Sequence, residues 1–421
     1  MRKMNKRGKF NMALSLAAVA TFTFSYFTDA HAKEPQKEVP GKAKNVILFV
    51  GDGMGAAHRN AIRLATVGQK GELAMNDMPY TGMVHTSSTS TVTDSAAAAT
   101  AMAAGVKTYN GAISINTSKK PVKTVLESAK EQGKSTGLVT TSQVTDATPG
   151  AFGAHVNDRK SQSDIAKQYI ENSKVDVILG GGEDYWYPKG QAGAYQDHPP
   201  EDPTEASKGT QGNLVNKAKK LGYSYVTNAK ELKKANNQKL LGLFANEEMF
   251  QQRPEGQGDI YDPVVSLPDM TKKAIDTLSK NKKGFFLMVE QEATDEMSHV
   301  NNAKQMIKAG DQLDKAVKEA KAFAKKHPDT LVLVAADHET GGLAIEDTDN
   351  KDESGDGISK EDGPFNVAHS KNQFMIDWTR TEHTADDVPL TAMGSGAQLF
   401  SGTYENTHIH DALLKAMGIK S

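Results

Sequence analysis

Acids and histidines recur in this sequence where short apolar runs stop. The run 46–50 (VILFV) gives way to Gly51-Asp52-Gly53. The run 285–289 (FFLMV) meets Glu290, with Asp295 and His299 just beyond. The run 331–335 (LVLVA) is followed by Asp337 and His338. Buried charges are costly unless paired or metal-bound. One such end alone reads as a cap or a salt-bridged carboxylate, whereas three together read as a metal cluster. Asp295 and His299 are four apart, so on a helix both project from one face and can grip one ion. Carboxylate plus imidazole, in a chain with no cysteine, suits zinc. An oxygen-only set of Asp52, Glu290 and a hydroxyl suits magnesium.

Ser95 is the candidate nucleophile. Thr93-Asp94-Ser95 leads into Ala96-Ala97-Ala98-Ala99-Thr100-Ala101-Met102, a run of strong helix formers. Ser95 is expected at a helix N-terminus, where free N–H groups and the macrodipole favour anions. By itself that is an ordinary N-cap position. Beside zinc ligands its alkoxide can be stabilised by metal, and the same helix end attracts phosphate. Arg159, after Asp146-Ala147-Thr148-Pro149 and His155-Val156-Asn157-Asp158, is the candidate guanidinium for non-bridging phosphoryl oxygens. By itself it would be a surface arginine.

Something must carry these groups to one place. Short apolar runs at 46–50, 135–139, 175–179, 285–289, 331–335 and 389–393 alternate with helical patterns at 94–105, 121–132, 164–172, 270–280, 302–326 and 406–417. That alternation predicts an α/β protein, a three-layer α/β/α sandwich with a mostly parallel central sheet. Ligands in such sheets bind at the carboxyl ends of strands. Two stretches, near 183–212 and 346–364, read as surface insertions. The second faintly resembles a calcium loop, but Lys351 falls where a ligand is expected and no Gly makes the sharp turn.

The chain has 421 residues, 24% charged and 38% hydrophobic, ordinary for a soluble globular protein. A net charge of −2 gives no electrostatic reason to bind nucleic acid. The absence of cysteine excludes disulfides, thiolate metal sites and cysteine nucleophiles. Residues 1–32 combine a basic start, an apolar middle and Ala30-His31-Ala32, which predicts a secretory signal peptide cleaved after Ala32. Its five basic residues and Asp29 leave with it, so the mature chain carries −6. Residues 33–44 read as a polar linker and 45–421 as a single catalytic domain.

The ordered motifs resemble the secreted bacterial alkaline phosphatases. They are Val50-Gly51-Asp52-Gly53-Met54-Gly55, Thr93-Asp94-Ser95-Ala96-Ala97, Gly105-Val106-Lys107-Thr108-Tyr109-Asn110-Gly111, Asp146-Ala147-Thr148-Pro149, His155 to Arg159, Gly180-Gly181-Gly182, Val289-Glu290, Asp295 to His299, Ala336-Asp337-His338 and Glu382-His383-Thr384. The resemblance implies hydrolysis of phosphate monoesters through a phosphoserine at Ser95, with Arg159 clamping the phosphate. It implies two Zn2+ and one Mg2+ per chain. One zinc would sit on Asp295, His299 and His383, the other on Asp52, Asp337 and His338 with Ser95. Magnesium would sit on Asp52, Thr148 and Glu290. Only the family pattern selects His383 among twelve histidines. The implied partners are small phosphate esters, with no specific binding of nucleic acid. A secreted or cell-envelope location follows, with no transmembrane anchor after cleavage. Homodimers are common in the family, though the sequence offers no independent sign of one.

Three positions depart from the pattern. Glu296 stands where Lys or His usually follows the acid at Asp295. Thr340 stands where a second histidine often follows His338. Ala245 replaces the acid of the animal branch's calcium site, which is therefore not carried over. A sulfatase would need x-Pro-x-Arg after its nucleophile, and Ala96-Ala97-Ala98-Ala99 fails that pattern. Diesterases tend to lack the acid at Glu290 and the arginine at Arg159. A phosphate- or zinc-binding protein without catalysis would keep its function in Ser95→Ala.

Overall fold

The computed structural model describes residues 42–250, 260–348 and 361–420. The predicted signal peptide, most of the linker and most of the acidic stretch at 346–364 lie outside them. Among the described residues the strands are β1 (Asn45–Gly51), β2 (Tyr80–His85), β3 (Ser135–Gln143), β4 (Val177–Gly181), β5 (Ser224–Val226), β6 (Leu240–Leu243), β7 (Phe285–Gln291), β8 (Thr330–Ala335), β9 (Glu339–Thr340), β10 (Leu343–Glu346), β11 (Asp362–Asn366), β12 (Gln373–Trp378), β13 (His383–Thr384), β14 (Val388–Gly394) and β15 (Gly402–Glu405). The helices are α1 (Ala56–Thr66), α2 (Ser95–Ala104), α3 (Val125–Glu131), α4 (Ala147–Gly153), α5 (Gln162–Glu171), α6 (Leu214–Lys220), α7 (Ala229–Lys234), α8 (Leu267–Leu278), α9 (Ala293–His299), α10 (Ala303–Lys326) and α11 (Thr407–Met417).

Ten strands form one sheet in the order β15-β2-β14-β8-β1-β7-β3-β4-β6-β5. Its pairings are parallel except where β14 lies antiparallel between β8 and β2. The central strands β1, β7 and β8 are buried along their whole length, because helices cover both faces. Their unbroken apolar sequences follow from that double burial. Burial of each large aliphatic or aromatic side chain there contributes ~1.5–3 kcal/mol. The two covering layers can be told apart on β3. A side chain at Gly137 would meet Leu278 of α8, whereas Leu138 lies against Gly153 of α4. Neighbouring strand residues point to opposite faces, so α8 and α4 belong to different layers.

The helix α10 buries Met306, Leu313, Val317 and Ala320 along one stripe. Gly310 lies in that stripe against Ile62 of α1, where a β-carbon would come 2.1 Å from the Ile62 Cδ1. This sandwich leaves the carboxyl ends of β1, β3, β7 and β8 adjacent in the middle of the sheet. The start of the 183–212 stretch is drawn inward, with Trp186 fully buried.

Candidate metal centre and active site

Asp52 follows β1 directly, in a turn that only glycine permits at its next position. Gly53 has φ +64°, and a β-carbon there would lie 2.5 Å from Asp295 Oδ1 and 2.7 Å from Thr340 Oγ1. The backbone must come that close for strand ends from different parts of the chain to share one site. Glu290 is the penultimate residue of β7, Asp295 and His299 lie on α9, and Asp337 and His338 follow β8. Thr148 lies on α4 after β3. His383 arrives on β13, which pairs with β9 so that His383 stands opposite Thr340.

Two groups converge tightly enough to hold an ion each. Asp295, His299 and His383 bring their ligand atoms within 4.8 Å of one another, and so do Asp52, Asp337 and His338. In the first group the Nε2 atoms of His299 and His383 lie 3.2 Å apart. His299 Nδ1 donates to the Thr381 carbonyl at 2.6 Å, and His383 Nδ1 donates to the Thr93 carbonyl at 2.9 Å. Such bonds orient metal-binding imidazoles, leaving both Nε2 lone pairs aimed at one point. Asp295 Oδ2 is 3.1 Å from His299 Nε2. In the second group His338 Nε2 lies 3.1 Å from Asp337 Oδ2, 3.3 Å from Asp52 Oδ1 and 3.2 Å from Ser95 Oγ. Its Nδ1 donates to Thr340 Oγ1 at 3.2 Å. Asp52 Oδ1 and Asp337 Oδ2 are buried without a hydrogen-bond partner. The donors are oxygen and nitrogen only, a set that suits zinc.

A third, all-oxygen group adjoins the second. Thr148 Oγ1 donates to Asp52 Oδ2 at 3.4 Å, while Glu290 accepts from Thr140 Oγ1 at 2.5 Å through Oε2. Glu290 Oε1 is buried and unpartnered. Burial first, with Asp146 and Asp337 adding repulsion, pushes the Glu290 carboxyl up to about 8. Burial, then Asp337, Asp295 and Glu290, pushes Asp52 well up. Asp295 is held well below the carboxylate range because His299 and His383 outweigh its burial. Burial opposes the charge on His299 as well, but Asp295 raises it to about 10. Carboxylates packed this densely call for positive charge, and the orphaned oxygens of Asp52, Asp337 and Glu290 mark where divalent cations fit.

Ser95 is the first residue of α2. Asp94 caps the helix, accepting from Ala97 N at 2.9 Å and from Gly111 N at 2.8 Å. Arg159 donates through Nη2 to Asp146 Oδ1 at 2.9 Å, with Nη1 3.7 Å from Asp94 Oδ2. Its side chain is 30% exposed, so the guanidinium borders solvent. Burial works against its charge, but Asp146, Asp94 and Asp52 hold it ionised.

All ten residues singled out in the sequence therefore lie around one place. Three connections were not legible there. They are the Asp94 link to Gly111 and Arg159, the Thr140 bond to Glu290, and the two hydrogen bonds of the Thr340 hydroxyl, with His338 and Asp295. The Asp94-Ser95 pair before an alanine run did signal a cap, but not what else the cap holds. Glu296 lies near Glu292 and Glu248, whose carboxyls are pushed up by burial and neighbouring acids. His155 points elsewhere, 3.0 Å from Glu127.

Paired acid–imidazole clusters at the strand ends of an α/β/α sandwich, beside a serine on a helix N-terminus, define a metallohydrolase. The chain belongs to the alkaline phosphatase family, whose model matches residues 43–372 and 346–419. It is 34% identical to alkaline phosphatase 4 of Bacillus subtilis (strain 168), over 96% of each chain. It is 33% identical to the alkaline phosphatase of Escherichia coli (strain K12), over 90% of this chain and 87% of that one. The alkaline phosphatase of the Antarctic bacterium TAB5 superposes with a TM-score of 0.75 at 30% identity, covering 90% of this chain and 100% of that one. A point variant of that enzyme, with Mg bound in its M3 site, gives 0.72 at the same identity, covering 90% and 99%. The chain is a hydrolase of phosphate monoesters, and dependence on metal is typical of its family. No helix among the described residues is long and apolar enough to cross a membrane.

Proposed function

We propose that Ser95 is the nucleophile and becomes transiently phosphorylated. The supporting observation is its position, 3.2 Å from His338 Nε2 at the start of α2, with Arg159 held nearby through Asp94 and Asp146. The Arg159 guanidinium pairs with non-bridging oxygens of the phosphoryl group, and both its carboxylate neighbours keep it turned to that task. Ser95 Oγ, its proton released to solvent, bonds to phosphorus as the bond to the alcohol oxygen breaks. The alcohol leaves with a proton from water. A water molecule then attacks the phosphoserine, releasing phosphate and restoring the hydroxyl.

The convergence of these side chains supports a ligand assignment. Asp295, His299 and His383 would hold one zinc, and Asp52, Asp337 and His338 the other. Asp52, Thr148 and Glu290 would hold magnesium, and Asp52 would then serve both this ion and the second zinc. Bound there, the cations lower the pKa of an attached hydroxyl or water and offset charge on the oxygens that exchange at phosphorus. Export rests on the pattern at 1–32, and the mature chain should begin at Lys33.

The test is chemical trapping. Protein quenched during turnover of an aryl phosphate should carry a phosphate on Ser95 by peptide mass spectrometry. Ser95→Ala should carry none and lose roughly 10³-fold or more in kcat, with its zinc content unchanged. Phosphate found on another residue, or full turnover by Ser95→Ala, would refute the assignment.

A further inference from the structure

The metal-ligand groups occupy one end of the sheet. At the other end several parallel strands are reached from the C-terminus of a helix, α6 leading into β5, α7 into β6 and α8 into β7. The three connections, residues 219–223, 233–239 and 279–284, contain Lys219, Lys220, Lys233, Lys234, Lys239, Lys280, Lys282 and Lys283, with no Asp or Glu. Over the whole chain 50 basic residues face 52 acids, so the bias is local. Lysines in a last helical turn complement the helix dipole, which accounts for Lys219, Lys220, Lys233 and Lys234. It does not account for Lys239, Lys280, Lys282 and Lys283, which lie beyond the helix ends.

Nearby lysines that have carboxylate partners are Lys130 with Asp176, Lys217 with Glu171 and Lys272 with Asp276. The eight have none among the described residues. Seven are exposed and Lys239 is half-buried. Two are steadied over aromatic rings, Lys219 at 4.9 Å from the Tyr225 centroid and Lys239 at 5.1 Å from that of Tyr223. The connections also touch one another. Lys273 of α8 donates to the Lys233 carbonyl at 3.2 Å, and Gln238, Lys280 and Lys282 line one depression with Ser135. Burial and then the charge of Lys280 push the Lys273 ammonium down. The sheet order β7-β3-β4-β6-β5 sets these strand starts in a row about 19 Å long. In the turns between, Lys174 before β4 is exposed, whereas Lys134 before β3 is buried against the Lys44 and Lys283 carbonyls and Asp176 beside β4 pairs with Lys130.

We propose that this row is a docking surface for a linear polyanion, a polymer with a phosphate or sulfate on each repeat, which holds the enzyme with its metal-ligand end facing away. Charge complementarity favours that occupant, and the elongated row matches a chain of anions better than a single one. A lipid surface would find little apolar footing, since Leu221 is the large hydrophobic residue exposed in these connections.

Labelled dextran sulfate, which a phosphatase does not consume, is the probe. The full mature protein should bind it at low salt, with affinity falling linearly in log–log form as salt rises. Reversing Lys220, Lys233, Lys234 and Lys282 together to Glu should weaken binding by about tenfold or more and flatten the salt slope. Reversing Lys119, Lys120, Lys304 and Lys308, exposed lysines outside these connections, should change binding by no more than about twofold on the same scale. Both variants should hydrolyse an aryl phosphate at the wild-type rate, which shows that they fold. Equal losses in the two variants would overturn the proposal. So would wild-type protein that ignores the polymer at low salt, or that binds anionic lipid vesicles as tightly as the polymer.

Discussion

His338 turns one ring nitrogen toward Asp52, Asp337 and Ser95, and gives the other to Thr340. The Thr340 hydroxyl donates in turn to Asp295 Oδ1, so one side chain orients ligands of both acid–imidazole groups. Its backbone N–H donates to Gly53 O at 3.1 Å, next to Asp52. Thr340→Val should leave a buried oxygen of Asp295 without its donor, at a cost of about 1–3 kcal/mol. Zinc affinity should fall roughly 10–100-fold, while Thr340→Ser should recover most of it. Competition with a chromophoric chelator measures this, and equal affinities for the Val and Ser variants would rule the link out.

At the scale of elements, the cap of α2 does more than end a helix. Thr124 caps α3 by a reciprocal bond with Glu127 and donates to Phe152 O, with no bond to Arg159. Asp94 caps α2 while also holding Gly111 N and facing Arg159. Asp94→Ala and Thr124→Ala should each cost about 1–2 kcal/mol in thermal or denaturant unfolding. Only the first should also raise KM for an aryl phosphate. A rise in both, or in neither, would separate the cap from phosphate binding. The central elements were legible in the sequence because double burial makes β1, β7 and β8 continuously apolar, and because α10 keeps a helical stripe. The run at 175–179 begins pairing only at Val177, since Val175 closes the preceding helix through a bond to Tyr169 O. The short strands β5 and β6 lie at the sheet's edge, too brief for a periodic signal. His383 was hidden because its strand has two residues, and pairing with β9 rather than local pattern brings it in.

Across the molecule, the cluster ties stability to pH and to metal. The folded state holds a proton on Glu290 up to about 8, whereas an unfolded glutamate releases it near 4.3. Stability therefore falls as pH rises through that window. His299, raised to about 10, contributes stability below its ordinary value near 6.5 that is likewise lost as pH rises. Asp295 and Asp337 are shifted down and matter only in acid. Chelator-stripped protein should thus lose several degrees of Tm between neutral and alkaline pH, and zinc with magnesium should raise Tm and flatten the slope. Scanning calorimetry with and without chelator checks it, and a stripped protein that gains stability with pH would contradict it.

The most direct test is a zinc titration of stripped protein in saturating magnesium, following hydrolysis of an aryl phosphate alongside bound metal. Turnover should start near zero, rise with zinc and level off at two equivalents per chain. Stripped protein that already works at the full rate would contradict the account.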